Sequence, residues 1–84
     1  MDIRDIRTRL LGLLMAIAPD IDAQHIDPER ALRDQFDFDS MDALHFATAV
    51  SEAFGIEIPE RDYARLSSLG GAAEFVLNRL ARSP

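Results

Sequence analysis

Apolar residues recur at helical spacing in three stretches of this chain, and polar connections separate them. Across residues 2 to 17, Ile3, Ile6, Leu10, Leu13, Leu14 and Ile17 form one stripe of an amphipathic helix. Asp2 and Asp5 fall in its first turn, where the helix dipole favours acids, and Pro19 ends it. A second helix is predicted over residues 40 to 54. On a helical wheel Ala43, Leu44, Phe46, Ala47, Val50 and Phe54 are assigned to its core face. Met41, His45, Thr48 and Glu52 take the exposed face, and Gly55 is the C-terminal cap. The last helix starts at Ser67 or Ser68 and runs to about Ala81, with Leu69, Ala72, Ala73, Val76 and Leu80 inward. Arg82, Ser83 and Pro84 are expected to fray.

The connections are informative too. Residues 18 to 39 are long for a link inside a compact domain, which suggests a functional loop. Asp27-Pro28-Glu29 is a possible start of a short helical turn, capped by Asp27. Ile26, Ala31, Leu32 and Phe36 are expected to tuck into the core. Residues 56 to 59, Ile-Glu-Ile-Pro, are extended, with Ile58 ahead of Ile56 as the core plug. Pro59 then opens a short helix, Glu60 to Leu66, with Tyr63 and Leu66 as its apolar contacts. Gly70 and Gly71 either weaken the last helix or admit a close approach by the short one. The predicted fold is all-α: a small four-helix bundle of three longer helices and one short, with a long loop between the first and second, forming one domain over residues 1–84.

Composition narrows the chemistry. Fifteen acids face nine arginines, with no lysine, for a net charge of −6. Phosphate-backbone contacts need a basic face, so nucleic-acid binding is excluded. The acidity suits basic protein partners or plain solubility. Without cysteine there is no disulfide, thiolate nucleophile or cysteine-based zinc site. Asp20, Asp22, His25 and Asp27 superficially resemble a metal cluster. They lack the turn glycine and closing glutamate of a calcium loop, so a solvated acidic loop and no metal are expected. Neither a signal peptide nor a membrane span is visible, and a cytoplasmic protein without membrane insertion is expected.

No catalytic constellation is present. Asp37, Asp39 and Asp42 are left in water. His45 lies one turn beyond Ser40 on a helix with no oxyanion hole. The protein is therefore not expected to be an enzyme. Ser40 stands where the irregular, Asp-rich approach Phe36-Asp37-Phe38-Asp39 gives way to the apolar helical run. It can cap that helix, or it can present its hydroxyl at the helix N-terminus, where unpaired N–H groups and the dipole favour an attached phosphate. Two consecutive capping residues are redundant. If Asp39 caps, Ser40 is free.

The run Phe38-Asp39-Ser40-Met41-Asp42-Ala43-Leu44 resembles the Asp-Ser-Leu signature of acyl carrier proteins. Ile3 to Ile17 resembles their first helix, Glu52-Ala53-Phe54-Gly55-Ile56-Glu57-Ile58-Pro59-Glu60 the stretch after their second, and Ser67-Ser68-Leu69 the start of their last. The resemblance spans nearly the whole chain and suits a stand-alone carrier. It implies that a phosphopantetheinyl transferase attaches 4′-phosphopantetheine from coenzyme A to Ser40. The arm's thiol then carries acyl groups as thioesters between acyl-loading and acyl-processing enzymes. It further implies that Asp39 and Met41 support transferase recognition and that Met41, His45, Thr48 and Glu52 form the partner surface. Phe36, Leu44, Phe46, Val50, Ile58 and Leu66 are implied walls of an acyl cavity in a monomeric carrier.

Two departures from the family pattern stand out. Phe36-Asp37 replaces the usual Leu-Gly, and aspartate is expected to tolerate the left-handed angles of that turn. The exposed stripe of the second helix is nearly neutral, whereas carriers of fatty-acid synthesis present acids there. This leaves fatty-acid-like, polyketide-like and specialised acyl pathways open. A peptidyl or aryl carrier of nonribosomal synthesis is the alternative. A small acidic interaction module, with Ser40 only a cap, is the alternative of another class.

Overall fold

The computed structural model describes residues 1–82. Among them are five helices and no strand: α1 (Ile3–Ile17), α2 (Leu32–Gln35), α3 (Ser40–Phe54), a 3₁₀ helix (Glu60–Leu66) and α4 (Leu69–Arg82). α1 packs on α4 and α3, and the 3₁₀ helix bridges α3 and α4. Of the three residues expected to fray, Arg82 is the last of α4, and Ser83 and Pro84 lie outside the described residues.

Caps set the helix ends. The Asp2 carboxylate accepts the Asp5 N–H at 3.0 Å and starts α1. Gly55 closes α3 in the left-handed region, φ 64°, which a side chain would disfavour. Ser68 Oγ accepts the Gly71 N–H at 3.0 Å, so Ser68 caps α4. Ile6, Leu10 and Leu14 from α1 meet Phe46, Ala47 and Val50 from α3 and Leu69, Ala72, Ala73, Phe75 and Val76 from α4 in one apolar core. Arg9 joins α1 to the end of α3: its guanidinium lies 4.9 Å over the Phe54 ring and donates to the Ala53 carbonyl. Arg79 of α4 pairs with Asp62 of the 3₁₀ helix at 3.2 Å.

The wheel assignment fails at Leu44, which is 42% exposed. It lies about 120° around α3 from Val50, outside the arc facing the core. Ala43 is exposed as well, because it sits in the first turn at the edge of a cleft. The core plug is also reversed: Ile56 is buried and Ile58 only partly so.

The long connection is mostly packed. Ile21 and Phe38 are buried in it, and Leu32 is fully buried. Burial of Leu32 accounts for α2, a fifth helix within what reads from sequence as loop. Asp27-Pro28-Glu29 forms a turn and not a helix. The Asp27 carboxylate accepts the Glu29 N–H, and Gln35 closes the segment by accepting from the Asp27 N–H and donating to the Asp27 and Arg30 carbonyls. Asp22 similarly accepts from the Gln24 N–H and from His25. The His25 hydrogen bond, more than the Gln24 one, holds the Asp22 carboxyl below its usual range. The acids of this segment thus organise turns, and among the described residues no three His, Asp or Glu converge on a metal-sized site.

Two backbone hydrogen bonds strap the connection to the start of α4: Leu32 N–H to the Ser67 carbonyl, 2.7 Å, and Gly70 N–H to the Pro28 carbonyl, 2.8 Å. They explain the glycine pair. A Cβ at Gly70 would sit 2.8 Å from the Pro28 oxygen, and one at Gly71 2.8 Å from the Arg65 oxygen. Gly71 admits the 3₁₀ helix, as one of the two sequence readings has it, and Gly70 admits the connection. In an open helix Gly→Ala gains about 1 kcal/mol. Here both obstacles are backbone, and overpacking costs about 1 to 3 kcal/mol. Gly70→Ala is therefore expected to lower the melting temperature measured by circular dichroism. A rise would show that the strap yields without cost.

Candidate functional site

The approach to α3 is built by three local interactions. Phe36 N–H closes α2 on the Leu32 carbonyl, and Phe38 N–H bonds the Phe36 carbonyl at 2.9 Å across Asp37. That i to i+2 bond is a γ-turn. Among the described residues only Gly55 has positive φ, so the turn is the inverse form and Asp37 needs no left-handed angles. The rationale drawn from sequence for Asp37 is therefore replaced: an inverse γ-turn accepts any side chain at its centre. Phe38 then anchors the approach by packing edge-on against Phe46, with ring centroids 6.4 Å apart and planes at 78°.

Asp39 is the N-cap. Its carboxylate accepts the Asp42 N–H at 2.9 Å, while the Asp42 carboxylate accepts the Asp39 N–H at 3.2 Å. This is a reciprocal capping box with aspartate in the usual place of glutamate. Ser40 is the first residue of the helix and is not its cap. Its side chain is exposed, and its hydroxyl has no hydrogen-bond partner among the described residues. The backbone N–H groups of Ser40 and Met41 are likewise open, because the box satisfies Asp42 and the Asp39 carbonyl takes Ala43.

A cleft of about 520 Å³ opens beside Ser40. Ala31 and Arg33 form one wall, Tyr63, Ala64, Leu66 and Ser67 the other, and Phe38, Asp39, Ser40 and Ala43 the end at α3. The volume is within the range of small-molecule sites. Of the six residues suggested as cavity walls, Leu66 lines this cleft. Phe46 and Val50 are fully buried in the core, Phe36 and Ile58 pack against it, and Leu44 faces outward. Arg33, Tyr63 and Ser67 are cleft residues that sequence reasoning missed. A four-residue helix is too short for periodicity to orient Arg33, and Tyr63 reads from sequence as a core contact. Met41, 56% exposed, shares the outward face of α3 with Leu44, His45, Thr48 and Glu52. The Thr48 hydroxyl is spent on the Leu44 carbonyl at 3.1 Å.

A family model described as "Phosphopantetheine attachment site" matches residues 6–76. The chain belongs to the acyl carrier protein family. It is similar to the acyl carrier protein of Thermosynechococcus vestitus, 27% identical over 78 residues that cover 89% of this chain and 96% of the relative. It is also similar to that of Acidothermus cellulolyticus, 28% identical over 74 residues, covering 88% and 87%. A third, from Rubrobacter xylanophilus, is 27% identical over 74 residues, covering 84% and 91%. As an acyl carrier protein the chain holds acyl groups on 4′-phosphopantetheine and is a carrier, not a catalyst. The residues present fit that group: an unengaged hydroxyl at a helix N-terminus, two open amides beside it and an adjoining, mostly apolar cleft. When bound, the arm supplies the thiol that the cysteine-free chain lacks. Among the described residues no helix is long and apolar enough to cross a membrane.

Proposed function

We propose that Ser40 is the residue esterified by 4′-phosphopantetheine and that the chain, a single-domain monomer, serves a dedicated acyl pathway. The observation that carries the assignment is the division of labour at the head of α3. Asp39 performs the capping, so the Ser40 hydroxyl is left accessible with no structural duty. A phosphate on that oxygen would lie beside the open amides of Ser40 and Met41 at the positive end of the helix dipole. The test is to incubate the protein with coenzyme A and a broad phosphopantetheinyl transferase and to weigh it intact. A gain of one phosphopantetheine supports the assignment, and a folded sample that gains nothing overturns it.

Asp39 has a second role in this reading: its carboxylate also helps the transferase engage Ser40. Asp39→Ala is expected to cost about 0.5 to 2 kcal/mol as a lost cap. It should also slow modification at temperatures where the variant is fully folded. An unchanged modification rate with a lower melting temperature would make Asp39 a cap and nothing more.

The outward face of α3 supports a dedicated pathway over general fatty-acid synthesis. Met41 and Leu44 are exposed apolar groups, His45 and Thr48 carry no negative charge, and Glu52 stands alone at the far end. Processing enzymes that dock here would rely on apolar contact more than on charge. Binding to a cognate processing enzyme is expected to weaken with His45→Glu and to change little as salt is added. A steep salt dependence in a binding titration would contradict this.

A further inference from the structure

We propose that Arg33 is the anion-recognising residue of the cleft, holding either the phosphodiester of the arm or a terminal carboxylate on its acyl cargo. This rests on Ser40 being the attachment residue. Arg33 is the sole cation among the residues that line the cleft. Among the described residues it has no hydrogen-bond, ion-pair or ring partner, although Asp34, Asp37 and Asp39 lie within six positions of it. Arg9 is committed to Phe54 and Ala53, Arg30 to the Asp34 carbonyl, Arg65 to Phe75 and Arg79 to Asp62, and of the remaining arginines Arg33 is the one that lines the cleft. The one acid lining the cleft, Asp39, is occupied by the Asp42 N–H.

Place and chemistry combine. The Leu32-to-Ser67 bond fixes the residue preceding Arg33 against the opposite wall, so the Arg33 backbone cannot drift from the cleft. Apart from Asp39, Ser40 and Ser67, the rest of the lining, Ala31, Phe38, Ala43, Tyr63, Ala64 and Leu66, suits methylene groups. An unpaired guanidinium on an apolar wall matches an amphipathic ligand. Its planar fork takes a carboxylate or phosphate through two parallel hydrogen bonds, which a lysine cannot do. In a chain of net charge −6, a free cation at this spot favours an anion the protein otherwise repels.

The sources are separated by comparing the unmodified protein, the phosphopantetheine form, and forms bearing valeryl or glutaryl thioesters made from the matching coenzyme A derivatives. The two acyl groups have the same carbon count and differ in a terminal methyl or carboxylate. Intact mass confirms each loading. The readout is the Arg33 Nε–H resonance in nitrogen–proton NMR spectra, identified by its loss in Arg33→Gln. Movement beyond the line width on attachment of the arm assigns the phosphodiester. Movement between the valeryl and glutaryl forms assigns the cargo carboxylate. Full loading with Arg33 unmoved in both comparisons overturns this inference alone, and no mass gain overturns the attachment reading and this inference with it.

Discussion

Ser40→Ala is expected to fold as the parent does and to gain no phosphopantetheine mass when treated with coenzyme A and a transferase. The two halves of this result test different things. The side chain is exposed and unbonded, and the capping box runs between Asp39 and Asp42, so the fold loses no contact. Exposed substitutions of this kind fall within about 0.5 kcal/mol of the parent. Loss of the hydroxyl, in contrast, removes the only atom at the helix head that can form the ester, and the expected loss is complete. Intact-mass measurement and a thermal melt on the same sample read both. Residual modification of the variant would place the attachment elsewhere. A large fall in melting temperature would mean that Ser40 shares the capping after all.

Phe46→Ala is expected to carry the largest stability cost of any single truncation in α3. Phe46 is fully buried in the core to which α1, α3 and α4 contribute, and it receives the edge of Phe38. Truncating a buried phenylalanine costs about 3 to 5 kcal/mol, because the lost transfer energy is joined by a cavity the surroundings fill only in part. For a chain of this length total stability is about 4 to 13 kcal/mol. The variant is thus expected to sit near the limit of folding, with a melting temperature more than about 10 °C lower. The damage would reach the site as well, since Phe38 immediately precedes the Asp39 cap and lines the cleft. Urea denaturation followed by circular dichroism measures the cost. A value below about 1 kcal/mol would show that the core closes around the gap.

Much of the fold is legible in the residues because most of it is local. The α1 stripe, the Gly55 stop and the Ser68 cap each follow from a few neighbouring side chains and appear where expected, while Asp2, read from sequence as a first-turn acid, is the cap one residue before the helix. The freedom of Ser40 from capping is legible for the same reason, since Asp39 and Asp42 lie within three residues of each other. What escapes is tertiary. Leu44 is as apolar as any core residue, and only its angle around α3 reveals that it faces out. Nothing in Leu32 to Gln35 announces a helix; it forms because Leu32 fills the core and bonds across to Ser67. Gly70 reads from sequence either as a weak helical residue or as room for the short helix, and neither reading announces the Pro28 carbonyl that lies beside it. The cleft was beyond sequence reasoning because its walls come from segments some thirty residues apart, and hydrophobic periodicity does not report which loops meet.

The strap from Pro28 and Leu32 to the head of α4 has an evolutionary consequence. It divides the 18–39 connection into two parts under unequal constraint. Residues 22 to 25 are all exposed and lie before the strap, so insertions there move neither wall of the cleft. Each doubling of such a loop costs only about 0.6 kcal/mol. From residue 28 onward, an added or deleted residue would shift Leu32 from its socket and put Arg33 out of register with Ser40. Length variation among descendants of this chain should therefore collect in the first half of the connection, while the second half keeps its count.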